Sequence, residues 1–182
     1  QLHGCFGDGG AIFTNDEVLA KKIEMISNHG QSQKYYHDIV GVNSRLDTLQ
    51  AAILNVKLQK LDSYIQSRQK AASSYDRQLQ EVYEVKVPHR FKDSSHVFHQ
   101  YTLKIDSGRD ELKSYLKEAG IPSMIYYPLP IPEQKAYISN DAKDYPNAKE
   151  LSKAVLSIPM HTHLKEDTIT YICNTIKKFF HG

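Results

Sequence analysis

The chain has 182 residues, enough for one large domain or two small ones, and it is 40% hydrophobic and 24% charged, the balance of a globular protein with a sizeable core. Its 23 basic residues are interleaved with 21 acidic ones for a net charge of +2, so no basic stripe calls for nucleic acid or an anionic membrane surface. Cys5 and Cys173 lie far apart without metal or redox spacing and are read as reduced thiols of a cytoplasmic protein, and no run of about 18 apolar residues would span a bilayer.

In chain order, the first feature is QLHGCFGDGGAIFTND, which begins abruptly, as if something upstream were missing. Gly7, Gly9 and Gly10 around Asp8 permit a tight turn or a close backbone approach. The turn precedes a strand-like run, not a helix, and has neither a GK[ST] nor a GxGxxG pattern, so by itself it is no nucleotide fingerprint. Gly10 to Thr14 is expected to be a short buried strand. Thr14-Asn15-Asp16-Glu17 then supplies a cap and two acidic first-turn residues for a helix carrying Leu19, Ile23 and Ile26, which stops at Gly30. The following QSQKYYHDIVGVN has no helical period and reads as an ordered loop. From the capping-box-like Ser44-Arg45-Leu46-Asp47 onward, Leu46, Leu49, Ile53, Val56, Leu61, Tyr64 and Ile65 keep a helical period. The period continues through Ala72, Tyr75 and Leu79 with no Gly or Pro between residues 44 and 80. This predicts a helix on the order of 50 Å long, bent or broken near Ser73-Ser74, that bridges two domains.

Beyond Pro88 the character changes. Ser95 to Ile105 alternates like a half-buried strand, Asp110 to Ala119 is a short amphipathic helix closed by Gly120, and Ile121 to Tyr127 is a second strand ended by Pro128, Pro130 and Pro132. Pro146 to Leu156 and Glu166 to Phe180 read as two further amphipathic helices. The expected organisation is residues 1–81, ending in the long helix, and a compact α/β unit over 82–182.

Several side chains are candidates for chemistry. Asn43 could be a turn residue before the helix or an amide donor to an anion. Arg45 stands near a helix start, where the macrodipole mildly disfavours a cation. It is therefore read either as a fork for a carboxylate or diphosphate or as an ion-pair partner of Asp47. His29 and His99 are candidates for a substrate cleft, with a hydrogen-bonded core position the alternative for His99. His161 and His163 have no carboxylate or cysteine at suitable spacing, so no metal site is expected. Tyr126 and Tyr127, before the proline corner, are either core or a rigid pair of aromatic hydroxyls.

Five segments together, GDGGAIFTND, NHG, GVNSRLDTLQAAIL, GIPSMIYYPLP and SIPMHTHL, resemble in order and spacing the sugar aminotransferases of the DegT/DnrJ/EryC1/StrS family. The resemblance covers essentially the whole chain. It implies the α/β fold of the C-terminal part of a fold-type I, pyridoxal 5′-phosphate (PLP)-dependent aminotransferase: the end of the large domain, a long bridging helix and a small domain. It sets the lysine that forms the Schiff base with PLP at Gln1 or just before it, so no catalytic residue is expected within the chain, which alone would be inactive. The glycine turn would let the backbone reverse beneath the cofactor, and the next strand would return into the large domain's sheet. Asn43 falls where the family's asparagine reaches the PLP phosphate of the partner subunit, in a homodimer with shared active sites. Arg45, Tyr126, Tyr127, His29 and His99 fall in the implied substrate region. Pro130-Ile131-Pro132 departs from the family's Pro-Leu-His, which leaves the sugar open. The implied reaction moves an amino group from glutamate to a nucleotide-linked keto-sugar in surface-polysaccharide, glycan or antibiotic sugar biosynthesis. The alternatives are a PLP-dependent sugar dehydratase, in which histidine replaces the lysine, and a non-catalytic or regulatory homologue.

Overall fold

The computed structural model describes residues 6–137 and 144–182. Gln1, at or just after the position assigned to the lysine, and Cys5 lie outside the described residues. The chain forms two compact units, Gln1–Leu61 and Asp62–Gly182.

In the first unit, helix α1 (Glu17–Ser27) takes Asp16, expected in its first turn, as the cap. The Asp16 carboxylate accepts from the amides of Val18 and Leu19, at 2.9 and 3.1 Å, filling two of the donors a helix start leaves open. The helix leaves through Asn28, and His29 and Gly30 follow in the left-handed region with φ of 60° and 75°. The expected loop instead contains a short antiparallel hairpin, β1 (Gln31–Gln33) and β2 (Tyr36–His37), turned by Lys34 and a left-handed Tyr35. The expected strand at 10–14 does not form. Ile12 and Phe13 are 71% and 92% exposed, and no strand among the described residues runs beside them to pair their backbone groups.

The predicted long helix is two helices, α2 (Thr48–Leu58) and α3 (Leu61–Leu79), broken at Gln59-Lys60 and not at Ser73-Ser74. The serines are absorbed by the helix. Ser73 donates back to the Gln69 carbonyl at 2.9 Å, and Ser74 donates to Glu166 at 2.5 Å. The two compact units part at this break, upstream of the change in sequence character near residue 82, because the buried face of α3 belongs to the second core.

That core is built on a three-stranded antiparallel sheet, β3 (Val85–Lys86), β4 (Tyr101–Ile105) and β5 (Val155–Ile158), with β4 in the centre. Strand β4 is shorter than the alternation from residue 95 predicts, and Tyr101, Leu103 and Ile105 carry its buried face. Ala71, Ala72, Tyr75 and Leu79 of α3 pack in the same core, as do Leu112 and Leu116 of α4 (Arg109–Glu118) and Ile169, Ile172, Cys173 and Ile176 of α6 (Glu166–His181). On β4's other face, Lys104 pairs with Glu150 of α5 (Pro146–Ala154). The helix predicted over Pro146 to Leu156 gives way to β5 at Val155. The second predicted strand, from Ile121, reduces to one bridge between Met124 and Ser157, its two amides donating at 3.0 and 2.8 Å.

The Tyr75 and Tyr101 rings lie 4.8 Å apart in the core. Tyr75 donates to the Pro159 carbonyl at 2.9 Å, and Tyr101 donates at 2.5 Å to Asp76, which also pairs with Arg90. Cys173 is fully buried, and desolvation pushes its thiol up to about 12. Its thiolate is therefore withheld from reagents while the core is closed. Tyr101→Phe removes a hydrogen bond to a charged acceptor and should cost about 1.5–3 kcal/mol. A lower denaturation midpoint with faster alkylation of Cys173 is the expected result, and an unchanged midpoint would contradict it.

Candidate functional site

In the first unit the segments NHG and GVN are stitched together by backbone hydrogen bonds. His29 donates to the Val42 carbonyl at 2.9 Å, Val42 to Ile26 at 2.7 Å and Ser44 to Ser27 at 2.8 Å. Asn28 and Asn43 form the antiparallel bridge between them. Two glycines make the contact possible. A β-carbon on Gly30 would stand 1.8 Å from the Ile39 carbonyl oxygen, and one on Gly41 would stand 2.1 Å from the Gly30 nitrogen.

Asn43 is therefore held by its backbone at the mouth of α2, with its side chain exposed. Its Oδ1 accepts from Arg45 Nε at 3.1 Å. Arg45 donates its Nε–H to Asn43, and no ion pair joins it to Asp47. His29 contributes mostly backbone: its amide joins the stitch, and its carbonyl accepts from His37 Nδ1 at 2.9 Å.

In the second unit, Tyr126 and Tyr127 are 41% and 73% exposed and meet edge to face at 5.7 Å, so neither is a core residue. With Pro128, Leu129, Pro130 and Leu151 they line a largely apolar cavity of about 570 Å³. A larger one, about 670 Å³, is lined by residues whose charges are mostly paired already, including Lys86 with Asp106, Lys104 with Glu150 and Lys149 with Asp144. It contains none of the predicted residues.

His99 is exposed, but its backbone is clamped. The buried Arg68 guanidinium donates to the carbonyls of Phe98, His99 and Met160 at 3.0, 3.1 and 3.2 Å. This holds Phe98 in the left-handed region at φ 47°, its ring buried beneath the Arg90 guanidinium. Desolvation lowers the His99 pKa below the usual histidine value, and the Arg68 charge adds to the effect. Sequence reasoning missed Arg68, yet it completes the spacing 68, 71, 72, 75, 79 along the buried face of α3.

The family model for DegT/DnrJ/EryC1/StrS aminotransferases matches residues 2–177. The chain belongs to the DegT/DnrJ/EryC1/StrS aminotransferase family. It is 45% identical over 181 residues to the "Pleiotropic regulatory protein" of Geobacillus stearothermophilus, covering 97% of this chain and 48% of that one. It is 45% identical over 170 residues to the UDP-2-acetamido-2-deoxy-3-oxo-D-glucuronate aminotransferase of Pseudomonas aeruginosa, covering 93% and 46%. The solved structure of DesV from S. venezuelae superposes with a TM-score of 0.93 at 34% identity, covering all of this chain and 49% of that one. The chain thus spans about half the length of these relatives.

The family is PLP-dependent, and the amide donors of Asn43 fit the phosphate of such a group. The amide's acceptor oxygen is already engaged by the Arg45 guanidinium, which leaves the N–H₂ to donate. Of the residues expected at the site, His29, Asn43 and Arg45 gather on the first unit's stitch, Tyr126 and Tyr127 line the second unit's apolar cavity, and His99 sits on the Arg68 clamp. Gly30→Ala puts a β-carbon against the backbone at positive φ and should destabilise the stitch by roughly 1–3 kcal/mol. Hydrogen exchange at the His29, Val42 and Ser44 amides should quicken, while that of β4 stays slow. Unchanged protection at all three would show that the stitch tolerates the added carbon.

Proposed function

We propose that the chain forms the C-terminal half of a PLP-dependent aminotransferase that moves an amino group from glutamate to a nucleotide-linked keto-sugar. The observation that carries this reading is Asn43: a backbone-fixed amide, beside a guanidinium, with its N–H₂ turned outward. This is donor chemistry for a phosphate, on a motif of an aminotransferase family. When bound, PLP supplies the electron sink that lets the amino group leave one carbon and join another. The lysine that carries it would stand at or just before Gln1.

The chain's own residues bind and orient. Asn43 serves the phosphate in the neighbouring subunit of a homodimer and fixes it without adding charge. Arg45 retains its terminal N–H groups for a diphosphate or, if the sugar is a uronate as in the name of the Pseudomonas relative, for its carboxylate. Tyr126 and Tyr127, stiffened by Pro128, Pro130 and Pro132, offer an apolar face and two hydroxyls to the sugar. His99, its pKa lowered by desolvation, offers a mostly neutral imidazole to the same substrate. His29 holds its place at the edge of the site through its backbone. A cytoplasmic location, where nucleotide sugars are made and thiols such as Cys173 stay reduced, fits this role, as does the biosynthesis of surface polysaccharides or antibiotic sugars.

The two half-reactions separate the roles. In the whole enzyme, Tyr126→Phe and Tyr127→Phe should each cost about 0.5–1.5 kcal/mol in the sugar half, a three- to tenfold loss of kcat/KM. The glutamate half, followed by cofactor absorbance, should hardly change. Equal losses in both halves, or none in either, would remove the tyrosines from the sugar site. Failure of glutamate to convert the cofactor at all would remove the activity.

A further inference from the structure

An amide has two unlike ends, and its hydrogen bonds decide which end a ligand meets. At Asn43 the decision is made locally. Arg45 Nε lies 3.1 Å from Oδ1, and an N–H of a guanidinium can only donate, so the end beside Arg45 must be the oxygen. The remaining end, Nδ2, carries two donors and is directed away from Arg45. Without that partner the exposed amide could turn over and present its oxygen, which repels an anion. The backbone cannot prevent this. The stitch through Ile26, Ser27 and His29 fixes the Asn43 main chain and leaves its terminal torsion free.

We infer that Arg45 is a positioning residue for phosphate binding: it locks the Asn43 amide with its N–H₂ outward and so acts through Asn43 instead of contacting the phosphate itself. The inference rests on the reading that Asn43 holds a phosphate. It adds to that reading an intrachain device, two residues apart in sequence, that is set before any ligand arrives. It also accounts for a cation near the start of α2, where the helix dipole offers it nothing. The guanidinium suits the task because Nε projects from a rigid plane. A lysine ammonium carries the same charge but turns freely and hydrogen-bonds in no fixed direction.

A double-mutant cycle tests this in the whole enzyme, with PLP and phosphate-free pyridoxal as probes and equilibrium affinity as the readout. Arg45→Met should weaken PLP binding about three- to tenfold and leave pyridoxal binding unchanged. In an Asn43→Ala background the same substitution should change PLP affinity less than about twofold, because the amide it orients is gone. Arg45→Lys should restore little of the loss. Independent, additive losses from the two substitutions would overturn the inference, since Arg45 would then contact the phosphate itself. Full rescue by lysine would overturn it too, since charge and not direction would be at work. If Asn43→Ala leaves PLP affinity unchanged, the phosphate reading of Asn43 fails, and that outcome is distinct from additivity. Thermal unfolding of each variant, expected to be near that of the parent for these exposed side chains, guards against general loss of fold.

Discussion

The first unit depends on a backbone contact that has no room for a β-carbon. Gly30 and Gly41 bring the end of α1 and the approach to α2 close enough to exchange three hydrogen bonds. Everything proposed for Asn43 and Arg45 follows from that approach. It fixes where residue 43 leaves the backbone, and it brings the NHG and GVN motifs, fifteen or fewer residues apart in sequence, into one small structure. The apolar side chains around it contribute little to its rigidity within this chain, since Val40, Val42 and Leu46 are largely exposed. Backbone geometry, not side-chain burial, sets the position of the site residues here.

The second unit works by the opposite means. Its core is dense, and a single buried cation organises the edge that carries His99. Arg68 would be costly to bury unpaired. It is tolerated because carbonyls from two separate segments, before β4 and after β5, turn inward to meet it. Tyr75 reinforces the second of those segments through Pro159. The segment HVFHQY and the motif SIPMHTHL, distant in sequence, are thereby tied to the same helix face.

Local signals in the sequence were legible and non-local ones were not. The start of α1, the extent of α4 up to Gly120 and the amphipathic α6 each depend on neighbours within a few residues, and each is where the pattern places it, to within a residue or two. The β1–β2 hairpin was hidden because QSQKYYH is polar on both faces and lacks the alternation that marks a half-buried strand. Strand β5 was hidden because the helical period before it runs on through Leu156. The strand-like run at 10–14 failed for a different reason: a strand needs a partner, and the described residues offer it none. Arg68 was passed over because an arginine within a helix usually faces solvent. Its partners lie 30 to 92 residues further along the chain, where no local pattern could announce them. The resemblance singles out Asn43 and Arg45, but the bond between them emerges only in the folded chain.

Asn43 is proposed to serve a cofactor held by another subunit, and subunit mixing separates that role from one within its own subunit. An Asn43→Ala subunit paired with one lacking the catalytic lysine yields, in a shared-site dimer, one site with both defects and one with neither. Purified heterodimers should recover PLP affinity and turnover at about half of their sites, although neither parent homodimer has a sound one. Heterodimers no better than the parents would contradict it and return Asn43 to its own subunit.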